Sequence, residues 1–115
     1  MPEFLTLGLG VGKASVEISE EGQIKITFSF KRIPRVETLT ISKRPTNLLT
    51  AVQDAQRNGG QYVKFKEDNF EGEVSFHFKE VYLTVRIQSP HLYCPIIDSE
   101  EGIQTLVGLL KNLPL

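Results

Sequence analysis

Ile24-Lys25-Ile26-Thr27-Phe28-Ser29-Phe30-Lys31 alternates apolar and polar residues without a break. Successive side chains of a strand point to opposite faces, so a period of two describes a half-buried β-strand. Ile24, Ile26, Phe28 and Phe30 read as inward, Lys25, Thr27, Ser29 and Lys31 as outward. Upstream, Glu20-Glu21-Gly22 is a turn signal, and residues 14–19 alternate with Val16 and Ile18 on one face. Residues 4–11 are apolar and glycine-rich and read as a buried strand, an edge strand or an arm. Downstream, residues 32–35 hold a proline and read as a loop, and residues 38–42 alternate with Leu39 and Ile41 inward. Pro45 suits the first turn of a helix, where its missing N–H costs nothing. Leu48, Leu49, Val52 and Ala55 follow helical spacing, and Asn58-Gly59-Gly60 ends that helix.

A second block follows the same plan. Residues 62–66 read as a strand with Val63 and Phe65 on one face, and residues 68–72 as a turn. Val74, Phe76 and Phe78 then read as inward, opposite Ser75, His77 and Lys79. Leu83, Val85 and Ile87 continue on another strand, and a short strand over 92–96 follows an irregular stretch. Asp98 and Glu101 resemble a capping box, and Ile103, Leu106, Val107, Leu110 and Leu113 form one helical stripe. Residues 26–31 match residues 74–79 in character, position by position. Either a strand-strand-strand-helix unit is duplicated, over 13–59 and 61–113, or two amphipathic strands simply look alike. The expected fold is α+β: two antiparallel sheets of three or four strands, with two helices, in one domain over 1–115.

The composition sets further bounds. The chain has 115 residues, 40% hydrophobic and 23% charged, which suits one domain with one core. Its net charge of -1 argues against a strongly basic nucleic-acid binder on totals alone. One cysteine, Cys94, excludes a disulfide framework within the chain and suggests a reducing, cytoplasmic compartment. No signal peptide and no membrane span are expected.

Several chemistries fail on their residues. Gly8-Leu9-Gly10-Val11-Gly12-Lys13-Ala14-Ser15 superficially resembles a phosphate-binding loop. Leu7 stands where the first glycine belongs, Ala14 stands where a Ser or Thr would hold magnesium, and a strand follows rather than a helix. His77, His91 and Cys94 fit no zinc spacing, so no metal or cofactor is expected. Cys94 and His91 lack a third orienting group, and the acids fall mainly in turns. The expectation is a protein that is not an enzyme.

The outward strand positions carry more information. Lys25, Lys31, Lys64, Lys66, Lys79 and Arg86 collect there, with Tyr62, His77 and Tyr82 among them. From the acids only Glu17 and Glu73 clearly join. Cations of this kind hold phosphates by releasing counterions, and aromatic rings on a sheet give unpaired bases a stacking surface. The plain alternative is that the lysines only solvate the face and deter edge pairing.

The chain resembles the Whirly, PC4-like and PUR-type single-stranded nucleic-acid-binding proteins in this doubled plan. Gly12-Lys13-Ala14-Ser15-Val16 looks like the Gly-Lys-Ala start of a Whirly strand. Leu83-Thr84-Val85, Tyr93-Cys94-Pro95-Ile96 and the helix closing in Leu113-Pro114 resemble the family's last strand pair and helix. The resemblance implies sheets packed crosswise, an oligomer, and sheet faces that bind single-stranded DNA or RNA without strong sequence preference. It adds Lys13 to the candidate contacts. The rival reading is a protein-interaction or homo-oligomeric assembly module, with the apolar helix stripe and the glycine-rich first strand buried against a second copy.

Overall fold

The computed structural model describes residues 5–8, 12–30, 36–87 and 93–115. Lys31, the loop expected at 32–35 and His91 lie outside the described residues. Four strands and a helix are followed by four strands and a helix. The elements are β1 (Leu5–Leu7), β2 (Gly12–Ile18), β3 (Ile24–Phe30), β4 (Val36–Ile41), α1 (Thr46–Asn58), β5 (Val63–Lys66), β6 (Phe70–His77), β7 (Glu80–Ile87), β8 (Tyr93–Ser99) and α2 (Glu100–Lys111). Each run of strands forms one four-stranded antiparallel sheet in chain order, β1-β2-β3-β4 and β5-β6-β7-β8. Consecutive strands pair in this way because short connections can only return the chain antiparallel. The α+β expectation holds, with four strands in each sheet.

The inner faces of both sheets line one apolar core. Ala14, Ile26 and Phe28 of the first sheet meet Leu83, Val85 and Ile96 of the second around a gap of about 20 Å³, closed by Leu48 of α1 and Leu106 and Leu110 of α2. That gap is near the size of a single water and has apolar walls, so it is a packing defect rather than a ligand site. The outer faces therefore turn away from this shared core. Among the described residues no helix is long and apolar enough to cross a membrane.

Gly72 marks the tightest approach between strands. A Cβ built there would lie 1.9 Å from the Thr84 carbonyl oxygen, so only glycine fits at this register position.

The structure revises the sequence reading at five places. The turn expected over 68–72 is shorter, because β6 already begins at Phe70, which puts Glu71 in a strand. Phe78 does not face inward. It sits in the β6–β7 turn at φ 57°, fully exposed, because the hairpin reverses there and the alternation stops. Ser75, on the outward side, is completely buried. Pro45 is the residue before α1 rather than part of its first turn, and the helix N-terminus is capped from afar: Glu67 Oε1 accepts from Leu48 N at 2.8 Å. The capping box is also displaced. Ser99 is the N-cap of α2, its hydroxyl accepting from Gly102 N at 3.1 Å. Asp98 lies in β8 and accepts from the backbone of Gly8 and from Ser99 N, joining the end of β1 to the second sheet.

The likeness between 26–31 and 74–79 also has a different meaning. It aligns β3, third in its sheet, with β6, second in its sheet. Positions alike in sequence are thus not those equivalent in topology.

Candidate nucleic-acid interface

Two outer faces share the expected site residues. Lys13 and Lys25 stand on the first sheet, among Thr6, Ser15, Thr27, Ser29, Thr38 and Thr40. Glu17 lies directly across from Lys25, whereas Lys13 faces Ser29. Lys64, Lys66, His77, Tyr82 and Arg86 stand on the second sheet, and Tyr62 immediately precedes its edge strand. Lys79 lies in the turn beside Phe78. The candidates expected to form a single basic face thus belong to two surfaces.

The second sheet gathers the aromatic residues. Ser75 faces Tyr82 across the β6–β7 ladder, and His77 follows two residues later on the same side. The His77 ring lies 4.8 Å from Tyr82, edge to face, and 5.9 Å from Tyr62. Ser75 Oγ and His77 Nε2 are 2.7 Å apart. Tyr62 is 54% exposed, so its ring remains available for stacking. These spacings match ordinary aromatic pairing geometry.

Beside the rings runs a groove of about 460 Å³, lined by Tyr62, Glu73, Thr84, Arg86 and Pro95. Its floor holds an ion pair, Arg86 Nη2 to Glu73 Oε1 at 3.2 Å. The far wall, Pro95, backs onto the first sheet: a Cβ on Gly12 would lie 3.1 Å from the Pro95 carbonyl. Lys13, the next residue, points to the opposite face of β2, the outer face of the first sheet, and does not line the groove.

The electrostatics of this face differ from the sequence reading. Glu71 faces Lys66 on one side and Arg86 on the other, Glu73 faces Lys64, and Glu80 faces His77. The outer face of the second sheet therefore alternates in sign. The sequence reading missed Glu71 because it assigned that residue to a turn; strand parity counted from Val74 back to Phe70 would have found it. It also missed Ser75, Thr84 and Pro95, which carry no charge or ring to draw attention.

The Ser75–His77 pair has the composition of a nucleophile and a base. The serine is completely buried, so no substrate carbonyl reaches its oxygen. Its hydroxyl lies 2.7 Å from the imidazole that packs against Tyr82. Among the described residues no group of three or more His, Cys, Asp or Glu could hold a metal ion. Cys94 is buried in the core.

A larger cleft, about 560 Å³, opens at the start of α1 between Lys43, Arg44, Asn47, Glu67 and Asp68. Its polar groups are largely committed to the fold. Glu67 caps Leu48 N, Asn47 Nδ2 donates to the Lys66 carbonyl, and Arg44 Nε donates to the Leu113 carbonyl. The groove on the second sheet is the better candidate for a ligand. Comparison of the chain with known protein families, with curated proteins and with solved structures gave no match.

Proposed function

We propose that this chain is a non-catalytic single-stranded nucleic-acid-binding module working through the outer face of its second sheet. The supporting observation is the cluster of Tyr62, His77 and Tyr82 beside an open groove on a solvent-facing sheet. Unpaired bases stack on such rings, and duplex bases, already stacked, do not. Lys64 and Lys66 on the edge strand and Arg86 on the floor supply cations along the same path. Lys79, at the hairpin tip, stands at the His77 end. Lys13 and Lys25 belong to the other sheet and contribute only to long-range attraction. A cytoplasmic location agrees with the single buried cysteine.

The balance of charge shapes the expected behaviour. Because glutamates interleave the cations, binding should release few counterions, and log K should fall gently with log salt. Fluorescence anisotropy of labelled single-stranded and duplex oligonucleotides at two salt concentrations tests this. Preference for single strands, reduced in Tyr62→Ala and Tyr82→Ala, supports the aromatic face. Lys64→Gln with Lys66→Gln should weaken binding and flatten its salt dependence further. Glutamine is preferable to glutamate here, since each lysine already faces a glutamate across the ladder. No binding at low salt would overturn the proposal.

A second reading, a protein-interaction module or homo-oligomer, rests on a separate observation. Val36 on the edge strand β4 and Phe78 on the hairpin tip are large apolar side chains left exposed, at 61% and 103%. The mixed-sign sheet face suits a protein partner as well. Sedimentation velocity separates the two readings: a monomer in solution that binds single strands removes the need for the second.

A further inference from the structure

We propose that the groove on the second sheet reads a base, and that the base is guanine. This inference rests on the single-strand reading above and adds a sequence preference to it. The groove has one aromatic wall, Tyr62, and a floor made of a carboxylate beside a guanidinium, Glu73 and Arg86. A base stacked on Tyr62 presents one edge to that floor. The floor offers acceptors at Glu73 and donors at Arg86, in contact with each other.

The donor pattern of the bases then decides between them. The Watson–Crick edge of guanine carries two adjacent donors, N1–H and the N2 amino group, followed by the O6 acceptor. A carboxylate is acceptor-only and has two oxygens, which match two adjacent donors. Glu73 Oε1 takes the Arg86 bond and keeps a second lone pair, while Oε2 has no partner among the described residues. The guanidinium beside the carboxylate is a donor group next to those acceptors, the order that guanine's O6 acceptor beside its two donors would complement. Adenine, cytosine and thymine each offer the carboxylate only one donor position on this edge and leave one of its oxygens unmatched. The pair is also sheltered, with side-chain exposures of 29% for Arg86 and 22% for Glu73, so an unmatched polar atom there is penalised more than on an open surface.

The ion pair has a further consequence. A lone glutamate would repel the phosphates of an approaching strand. Neutralised by Arg86, it can read a base without that cost. Lys64, directly across from Glu73, adds to the neutralisation.

The test is an anisotropy titration of the whole chain with short thymidine oligonucleotides that differ at one central position. A single guanine should tighten binding about tenfold over thymine, the discrimination expected of one bidentate base contact. Inosine, which lacks only the N2 amino group, should lose most of that gain. Glu73→Gln should bind the guanine-bearing and thymidine-only strands alike. Equal affinity for all central bases, a preference for adenine or cytosine, or inosine bound as tightly as guanine would each overturn the guanine assignment and leave the single-strand module standing. Binding to none of the strands would overturn both.

Discussion

Ser75 Oγ lies 2.7 Å from His77 Nε2, on the outer face of a sheet, with the serine completely enclosed. An outward polar residue becomes buried here because rings cover it: Tyr82 lies directly across the ladder, and His77 and Tyr62 continue the cover. The hydroxyl fixes the imidazole, and the imidazole sets the edge-to-face contact with Tyr82. Ser75→Ala should therefore cost about 1 kcal/mol of stability, the usual net worth of one such hydrogen bond. It should also weaken single-strand binding without touching a charged group. Urea denaturation and anisotropy on the same preparation check both effects. Unchanged affinity would show that His77 needs no orienting.

Phe78 supports a prediction of opposite sign. A bulky side chain at φ 57° is strained by about 1–2 kcal/mol against its own carbonyl, and this one has no packing to offset the strain, being fully exposed. Phe78→Gly should raise stability by about 1 kcal/mol, since glycine occupies that region freely. Strain kept at an exposed aromatic is a reason to look for function there. The stabilised variant should accordingly lose affinity for a ligand or partner, and thermal melts with and without oligonucleotide would separate the two effects.

The same hairpin explains what the sequence could and could not disclose. Alternation in 24–29 and 83–87 is visible because one face of each strand meets the core and the other meets solvent. Phe78 broke the pattern because alternation says nothing about where a strand stops, and a phenylalanine looks like a core residue wherever it falls. The helix stripe from Ile103 to Leu110 was legible because its period holds through the whole helix; Leu113, expected to continue it, is buried but lies beyond the end of α2. The cap of α1 was not, because Glu67 comes from a turn beyond the helix and its approach depends on tertiary structure. At the candidate site, Tyr62, His77 and Tyr82 were recognisable by type and parity. Their grouping, the Glu73–Arg86 floor and the interleaved signs depend on register between strands, which a single strand does not encode.

Gly72 tests that register directly. A methyl group there would collide with the Thr84 carbonyl and press on Phe65, and neither backbone can retreat without breaking the β6–β7 ladder. Gly72→Ala should cost several kcal/mol, on the order of the large values seen when a core is overpacked. Circular dichroism and a denaturant titration would show it. A fully stable variant would mean that Gly72 does not oppose Thr84–Val85 as described, and that Glu71 and Glu73 do not face the cations assigned to them.

Asp98 and Ser99 divide two roles that a capping-box reading assigns to one residue. Ser99 caps α2 through Gly102 N, so Ser99→Ala should cost about 1 kcal/mol. Asp98 accepts from Gly8 N of the first sheet and from Ser99 N and Oγ. It is only 7% exposed, so Asp98→Ala leaves the partly buried donors at Gly8 and Ser99 without the carboxylate. That loss should exceed the cap's, at about 2–3 kcal/mol. The distinguishing measurement is amide hydrogen exchange. Asp98→Ala should expose Gly8 N and then the short β1–β2 ladder, while Ser99→Ala should affect only the first turn of α2. Equal exchange at Gly8 in both variants would show that β1 is held by its pairing with β2 alone.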